Sequence, residues 1–138
     1  MKKIYIAGPL FNTHERDYLE KIAVELENNR YECFLPHRDQ TDIPEDQIAQ
    51  HSMTPSTRNK IFINDLNALE ASDITVALLT GQDIDSGTSA EIGFTYANKK
   101  PVIGIKASEI RIRNLFVEGM VSIFIDDIGQ LVDAIVKA

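Results

Sequence analysis

Short apolar runs alternate along this chain with stretches in which apolar residues recur every three or four positions. Five runs have the length and β-branched character of strands, over residues 3–7, 31–35, 73–80, 102–105 and 121–125. The stretches between them predict helices over about 12–28, 58–71, 86–98 and 128–136. The sequence therefore predicts a chain of strands and helices in near-regular alternation.

This alternation is typical of an α/β protein with a doubly wound parallel sheet and right-handed crossovers. Five strands suit the flavodoxin-like order 2-1-3-4-5, with helices on both faces of the sheet. Ligands of such folds bind at the carboxyl edge, where strands one and three lie side by side. The loops there are 8–11, which includes Gly8, and 81–87. We expect residues 1–138 to form one domain.

Each predicted helix has a buried apolar face, and those of the second and third helices bear on the candidate chemistry. The buried face of the second helix is Ile61, Phe62, Leu66 and Leu69, and that of the third is Ile92, Gly93, Tyr96 and Ala97. Residues 37–57, which include Pro44 and Pro55, are interpreted either as a substrate-covering loop with a short helical turn near 46–50 or as a tolerated insertion. Residues 106–119 are polar and mixed, and no element is predicted there.

Composition narrows the class of protein. Apolar residues make up 43% of the 138 residues and charged residues 25%, which is typical of a globular domain. Fourteen basic against 21 acidic residues give a net charge of −7, which argues against binding nucleic acid through its phosphates. No apolar run reaches about 18 residues, no secretory h-region follows Met1, and we expect the single Cys33 to be a buried, inert thiol. We therefore expect a cytoplasmic protein without a membrane partner.

The most informative stretch connects strand three to the third helix. Asp85 precedes that helix, and Glu91 is predicted in its first turn. Because a helix N-terminus favours negative charge, Glu91 is expected to stay ionised, which suits a nucleophile. The alternative is structural: residues 88–91 also fit a capping box, in which Glu91 would accept a hydrogen bond from the backbone N–H of Thr88.

A third acid falls on the predicted buried face of the second helix. Asp65 lies four residues before Leu69, and an unpaired carboxylate there would be costly. The alternative is a partly exposed acid satisfied by a neighbouring donor such as Arg58. If Asp65, Asp85 and Glu91 converge on one sheet edge, they supply the carboxyl groups that a retaining glycosyl transfer needs as nucleophile and proton donor.

Other kinds of chemistry have little support. The chain has no GxxxxGK[ST] or GxGxxG motif, and its three histidines lack metal-ligand spacing, so we predict neither a dinucleotide cofactor nor a metal site. Phe11, just after strand one, could stack on a flat base or lie at the edge of the core. Ser86 is a candidate hydroxyl donor to substrate or a helix cap.

The residues resemble those of the nucleoside 2-deoxyribosyltransferases over most of the chain. The resemblance lies in the opening 4–11, in Asn64-Asp65-Leu66 followed by 72–74, and most specifically in Asp85 with Gly87-Thr88 and Glu91-Ile92-Gly93. It implies a flavodoxin-like fold and an exchange of nucleobases on 2-deoxyribose by double displacement.

The resemblance also implies roles for individual residues. Glu91 matches the nucleophile, and Asp65 and Asp85 match two aspartates that contact base and sugar and help to protonate the departing base. Tyr5 matches a tyrosine near the nucleophile. Residues 113–116, with Asn114 and Phe116, resemble a stretch that reaches a neighbouring subunit's site, so a homo-oligomer is implied. Some members have a methionine where Phe116 stands, which bears on base specificity.

Two alternatives to base exchange stay open. A deoxynucleoside 5′-monophosphate N-glycosidase would use the same fold and glutamate with water as acceptor, and it would need a phosphate site, for which Ser86 and the opening loop are candidates. A non-catalytic nucleotide-binding module would bind without turnover. The exchange reaction, with nucleoside and free base as partners in nucleotide salvage, remains the first hypothesis.

Overall fold

The fold is a five-stranded parallel sheet whose strands follow the order 2-1-3-4-5. The computed structural model describes residues 1–43, 53–81, 83–106 and 114–138. The strands are β1 (Lys3–Ala7), β2 (Glu32–Phe34), β3 (Ile74–Leu79), β4 (Val102–Lys106) and β5 (Ile123–Ile125). The predicted sheet order and fold class are confirmed.

Helices cover both faces of this sheet. They are α1 (Thr13–Asn28), α2 (Pro55–Ala71), α3 (Ser86–Ala97), α4 (Leu115–Gly119) and α5 (Leu131–Lys137), the last preceded by a 3₁₀ turn over Ile128–Gln130. Because successive strand residues point to opposite faces, β1 divides its side chains between two cores. Ile4 and Ile6 pack with α1 and α5, whereas Tyr5 and Ala7 pack with α2, α3 and α4.

Several helix and strand bounds differ from the prediction by one to three residues. Helix α2 begins at Pro55 rather than Arg58, because Thr54 caps it and proline is tolerated in the first turn. Strand β2 begins at Glu32 rather than Tyr31, since the N–H of Tyr31 bonds to the carbonyl of Leu26 and closes α1. Helix α4 was not predicted; the Asn114 side chain caps it by accepting from the backbone N–H of Phe116 and Val117.

Two predicted core aromatics are on the surface. Phe62 is 61% exposed and Tyr96 is 57% exposed, so both assignments were wrong. On α3 the buried positions are Thr88, Ile92 and Thr95, a face rotated away from Tyr96 and from Ala97, which is also exposed, so its assignment to the buried face was wrong too. On α2 only Leu69 is fully buried. The sequence pattern did not distinguish apolar residues that face the core from those that line a cleft or an open surface.

Cys33 is less buried than expected. Cys33 is half-buried rather than fully buried, and burial raises the pKa of its thiol to about 12, which keeps it protonated.

Residues 44–52, with the predicted helical turn near 46–50, lie outside the described residues. Among the helices that the structure describes, none has the length and apolar character to cross a bilayer.

Candidate active site

The candidate active site is a pocket of about 460 Å³ at the carboxyl edge of β1 and β3. This volume falls within the range of roughly 300–1,000 Å³ common for small-molecule sites. Its wall contains three carboxylates in otherwise apolar surroundings. The lining residues are Gly8, Leu10, Pro36, Phe62, Asp65, Leu66, Leu69, Asp85, Gly87, Ala90, Glu91 and Phe94.

The fold gathers the three acids from separate segments. Asp65 comes from α2, Asp85 follows the β3 loop, and Glu91 projects from α3. Gly8, at the end of β1, allows close packing there: a Cβ at this position would stand 2.6 Å from Cδ2 of Leu19. Gly81 adopts a φ of +88°, which favours glycine and lets the chain turn after β3.

Glu91 lies in the second turn of α3, so its prediction in the first turn was wrong. The N-cap of α3 is Asp85, whose Oδ2 accepts from the backbone N–H of Thr88 at 3.2 Å and from its hydroxyl at 3.3 Å. The alternative capping box over 88–91 was therefore also wrong. The Glu91 carboxylate accepts instead from the hydroxyl of Tyr5.

The Tyr5 ring is held in place from a neighbouring strand. It is fully buried and stacks on Phe34 of β2, with ring centroids 5.6 Å apart. Burial raises the pKa of the Tyr5 hydroxyl, and the charges of Glu91 and Asp65 raise it further. The phenol therefore stays protonated and donates a hydrogen bond to the Glu91 carboxylate. Strand β1 thus supplies a fixed hydrogen-bond donor to the α3 carboxylate.

Burial dominates the electrostatics of Glu91 and Asp65. It raises the pKa of Glu91 to about 7, aided by the charges of Asp65 and Asp85 and opposed by the Tyr5 hydrogen bond. The expectation that the helix N-terminus would keep Glu91 fully ionised was therefore wrong. Burial likewise raises the pKa of Asp65 to about 6. Near neutral pH, one of these acids can carry a proton while another is ionised.

Gln40 is a site residue that the sequence reasoning missed. Its side-chain amide donates to Oδ1 of Asp65 at 2.9 Å and to the carbonyl of Pro36 at 3.0 Å, and its oxygen accepts from Asn64 at 3.3 Å. The predicted alternative donor to Asp65 was Arg58, whereas the donor found is Gln40. A polar residue soon after the carboxyl end of β2, next to β1, was the available signal.

The other predicted site residues divide into two groups. Gly8 and Gly87 line the pocket, and Tyr5 reaches it through Glu91. Phe11 is 68% exposed, and its N–H bonds to the side chain of Glu15. Ser86 is exposed at the first position of α3 and is not on the pocket wall, and Asn114 and Phe116 belong to the separate helix α4. Arg113 lies outside the described residues.

Comparisons with known proteins identify the family of this chain. The model of the family Nucleoside 2-deoxyribosyltransferase matches residues 4–133. A curated nucleoside deoxyribosyltransferase of Limosilactobacillus fermentum is 31% identical over 111 residues, which are 73% of this chain and 62% of that protein. The match thus spans less than two thirds of that relative's length.

Solved structures share the fold. A 2-deoxyribosyltransferase of Bacillus psychrosaccharolyticus superposes with a TM-score of 0.77 at 26% identity, over 94% of this chain and 89% of that one. A conserved protein of Enterococcus faecalis V583 gives 0.81 at 23% identity, over 99% and 98% of the two chains. A CMP N-glycosidase of Clostridium botulinum gives 0.60 at 17% identity, over 97% of each chain. With a family model matching nearly its whole length, this chain belongs to the nucleoside 2-deoxyribosyltransferase family.

Proposed function

We propose that this protein exchanges the nucleobase of 2′-deoxyribonucleosides by a retaining double displacement with Glu91 as nucleophile. The observation that carries the proposal is a half-buried carboxylate, fixed by Tyr5, in a pocket that also contains two aspartates. Membership of the family supports the reaction class. Base exchange of this kind belongs to nucleotide salvage, and the proposal includes that role.

In the first step, a carboxylate oxygen of Glu91 attacks C1′ of the deoxyribose and the bond from C1′ to the base nitrogen breaks. The electron pair of that bond goes to the base, which takes a proton from Asp65. In the second step, a nitrogen of another base attacks C1′ and displaces Glu91, and its proton passes to Asp65. The chemistry balances without an external acid, and two inversions give net retention.

Asp65 is assigned as the proton donor because burial raises its pKa to about 6, and the reactive form is the less populated one, in which Asp65 rather than Glu91 carries the proton that the two acids share between about pH 6 and 7. Asp85 is assigned to binding and charge placement, since one of its oxygens already caps α3. The apolar wall, which includes Leu66, Leu69 and Phe94, offers surfaces on which a flat base can lie.

The nucleophile is tested by Glu91→Gln, which keeps the shape of the side chain but replaces the nucleophilic carboxylate with a neutral amide. We expect exchange of thymine for adenine on deoxyribose, followed by chromatography, to fall at least about a thousandfold. The fold should persist, because the raised pKa of Glu91 means that its charged form is the less stable one in the protein. Glu70→Gln, on the exposed side of α2, is the matched control and should exchange bases like the wild type. A folded Glu91→Gln variant with normal exchange would exclude this nucleophile.

The pH dependence follows from the two raised pKa values. Activity requires Glu91 ionised and Asp65 protonated, so the rate falls at low pH as Glu91 gains a proton and at high pH as Asp65 loses one. We expect a bell-shaped profile of kcat/KM with its maximum between about pH 6 and 7. Tyr5→Phe removes the hydrogen bond that lowers the pKa of Glu91. Because Glu91 has the higher pKa of the two acids, its further rise should move the basic limb to higher pH, lower the maximal rate and leave the acidic limb in place. A basic limb that stays in place or moves to lower pH would contradict this assignment.

A nucleoside is favoured over a 5′-monophosphate by the charge of the pocket. Among the described lining residues, three are carboxylates and none is Lys, Arg or His, so a phosphate dianion would meet like charge. The N-terminus of α3, the usual alternative for phosphate, is already capped by Asp85. The second candidate function, hydrolysis of nucleoside monophosphates, is kept because the C. botulinum CMP N-glycosidase shares the fold.

These two candidates predict different substrates. With a free base present, kcat/KM for thymidine should exceed that for thymidine 5′-monophosphate at least about tenfold, because each like-charge contact in the pocket is unfavourable. The same comparison with deoxycytidine and its monophosphate is the matched control for the identity of the base. Faster cleavage of the monophosphates, with free deoxyribose phosphate as product, would favour the hydrolase.

The proposal includes self-association through an apolar groove of about 750 Å³ between α3 and α4. Tyr96, Leu115 and Phe116 line it and are 57%, 82% and 79% exposed, an unusual concentration of large apolar surface. A second copy of the chain would cover these side chains and could bring Asn114 or Phe116 to a neighbouring site, as the family resemblance implies.

We therefore expect the wild type to elute at a mass above the 15.5 kDa monomer, measured by light scattering. Phe116→Asp should shift the protein towards the monomer, because it places a charge in the covered groove. Val136→Asp, at a 73% exposed position on α5, is the matched control and should not change the mass. A wild type that remains monomeric at high concentration would exclude self-association.

A further inference from the structure

Two buried threonines connect the sheet to the helix that carries Glu91. Thr75 on β3 is 1% exposed and Thr95 on α3 is 3% exposed, and their hydroxyl oxygens lie 2.7 Å apart. The Thr95 hydroxyl donates its single proton to the backbone carbonyl of Glu91 at 2.8 Å. Because that proton is used, Thr75 must be the donor to Thr95. The hydrogen bonds therefore run in one direction, from the strand through Thr95 to the Glu91 carbonyl.

The register of the sheet places this chain of bonds beside the Tyr5 contact. Tyr5 and Thr75 are direct neighbours on β1 and β3. Glu91 and Thr95 are four residues apart on α3 and so share one face of the helix. Two adjacent sheet positions thus each present a hydroxyl to successive turns of one helix: Tyr5 to the Glu91 side chain, and Thr75 to Thr95.

We propose that the Thr75–Thr95 hydroxyl pair is a positioning element that fixes the helical turn of Glu91 against the sheet, so that its carboxylate stays on the Tyr5 hydroxyl and aimed at the pocket. Apolar contacts such as those of Ile92 hold α3 on the sheet without fixing its rotation or translation. A hydrogen bond of 2.7 Å is directional and fixes both. The role rests on the proposed function, in which Glu91 attacks the sugar.

The groups that face Glu91 indicate what losing the pair would change. Tyr5 approaches from β1, Asp65 from α2 and Asp85 from the segment before α3. The Tyr5 hydrogen bond is the contact among these that lowers the pKa of Glu91, whereas burial and the two aspartates raise it. If α3 shifts and the Tyr5 bond lengthens, the carboxyl therefore titrates at higher pH, and the reacting oxygen is misplaced.

The test compares Thr95→Val, which keeps the shape and removes the hydroxyl, with Thr95→Ser, which keeps the hydroxyl. Ile92→Val, which trims a buried side chain on the same helix, is the control for loss of packing. Each variant is assayed for base exchange, and the Glu91 carboxyl is titrated by ¹³C NMR of glutamate-labelled protein, its signal assigned by comparison with Glu91→Gln. Stability is followed by thermal unfolding.

For Thr95→Val we expect kcat to fall at least about tenfold with KM within about twofold, because only the alignment of the nucleophile is lost. The titration midpoint of Glu91 should rise by about half a pH unit or more. Thr95→Ser and Ile92→Val should match the wild type in both readouts. A folded Thr95→Val with unchanged kcat and unchanged titration overturns the proposal, as do equal effects in Ile92→Val.

The titration separates this proposal from the proposed function. If the wild type exchanges no base, the function fails, and the Glu91 titration decides alone: a shift in Thr95→Val but not in Thr95→Ser sustains the positioning role, and no shift removes it. If Thr95→Val does not fold, Thr75→Val and Thr75→Ser are measured in the same way, because Thr75 is the donor in the same chain of bonds.

Discussion

The site depends on the burial of a carboxylate whose main partner is a neutral hydroxyl. Glu91 carries no ion pair among the described residues; it accepts a hydrogen bond from Tyr5 and lies near two further acids. Burying a charge without a counter-charge is unfavourable, and burial accordingly raises the pKa of Glu91. A carboxylate held in this way is poorly solvated, which makes its ionised form a better nucleophile towards an electrophilic carbon.

The rest of the fold holds Glu91 in place and gives the neighbouring acids their hydrogen-bond partners. The parallel sheet is buried on both faces, so β1 and β3 give a rigid frame from which Tyr5 and Thr75 project side by side. The same edge is where the sheet order reverses and loops diverge, which leaves room for a pocket. Asp85 satisfies the start of α3, and Gln40 satisfies Asp65, so each remaining acid has a hydrogen-bond partner of its own.

Much of this was predictable because it depends on local pattern. The strands are apolar runs bounded by turn residues, and the three acids could be placed because each falls at a known position relative to a strand or a helix face. What failed depends on contacts between distant segments. Phe62 and Tyr96 have the spacing of core residues, yet one faces the pocket and the other an open groove. The spacing of apolar residues does not distinguish a residue that lines a pocket or an open groove from one that packs in the core.

The electrostatics of Glu91 failed for a related reason. Its position near a helix N-terminus suggested a stabilised charge. The helix begins at Ser86, however, so Glu91 lies one turn further in, and desolvation by partial burial raises its pKa. Gln40 and the Thr75–Thr95 pair could not be predicted for the same reason. Gln40 contacts Asp65, 25 residues away, and the two threonines are 20 residues apart, so their contacts depend on the fold. From the sequence alone, a threonine in a strand indicates only a β-branched residue that favours strands.

The central claim, that Glu91 forms a covalent bond to the sugar, is tested most directly by incubating the protein with a 2′-fluoro-2′-deoxynucleoside and analysing it by peptide mass spectrometry. The fluorine slows the second displacement, so the account predicts a fluorodeoxyribosyl ester on the peptide that contains Glu91, and its disappearance when a free base is added. Release of the base without any adduct, or an adduct on Asp65 or Asp85, would contradict it.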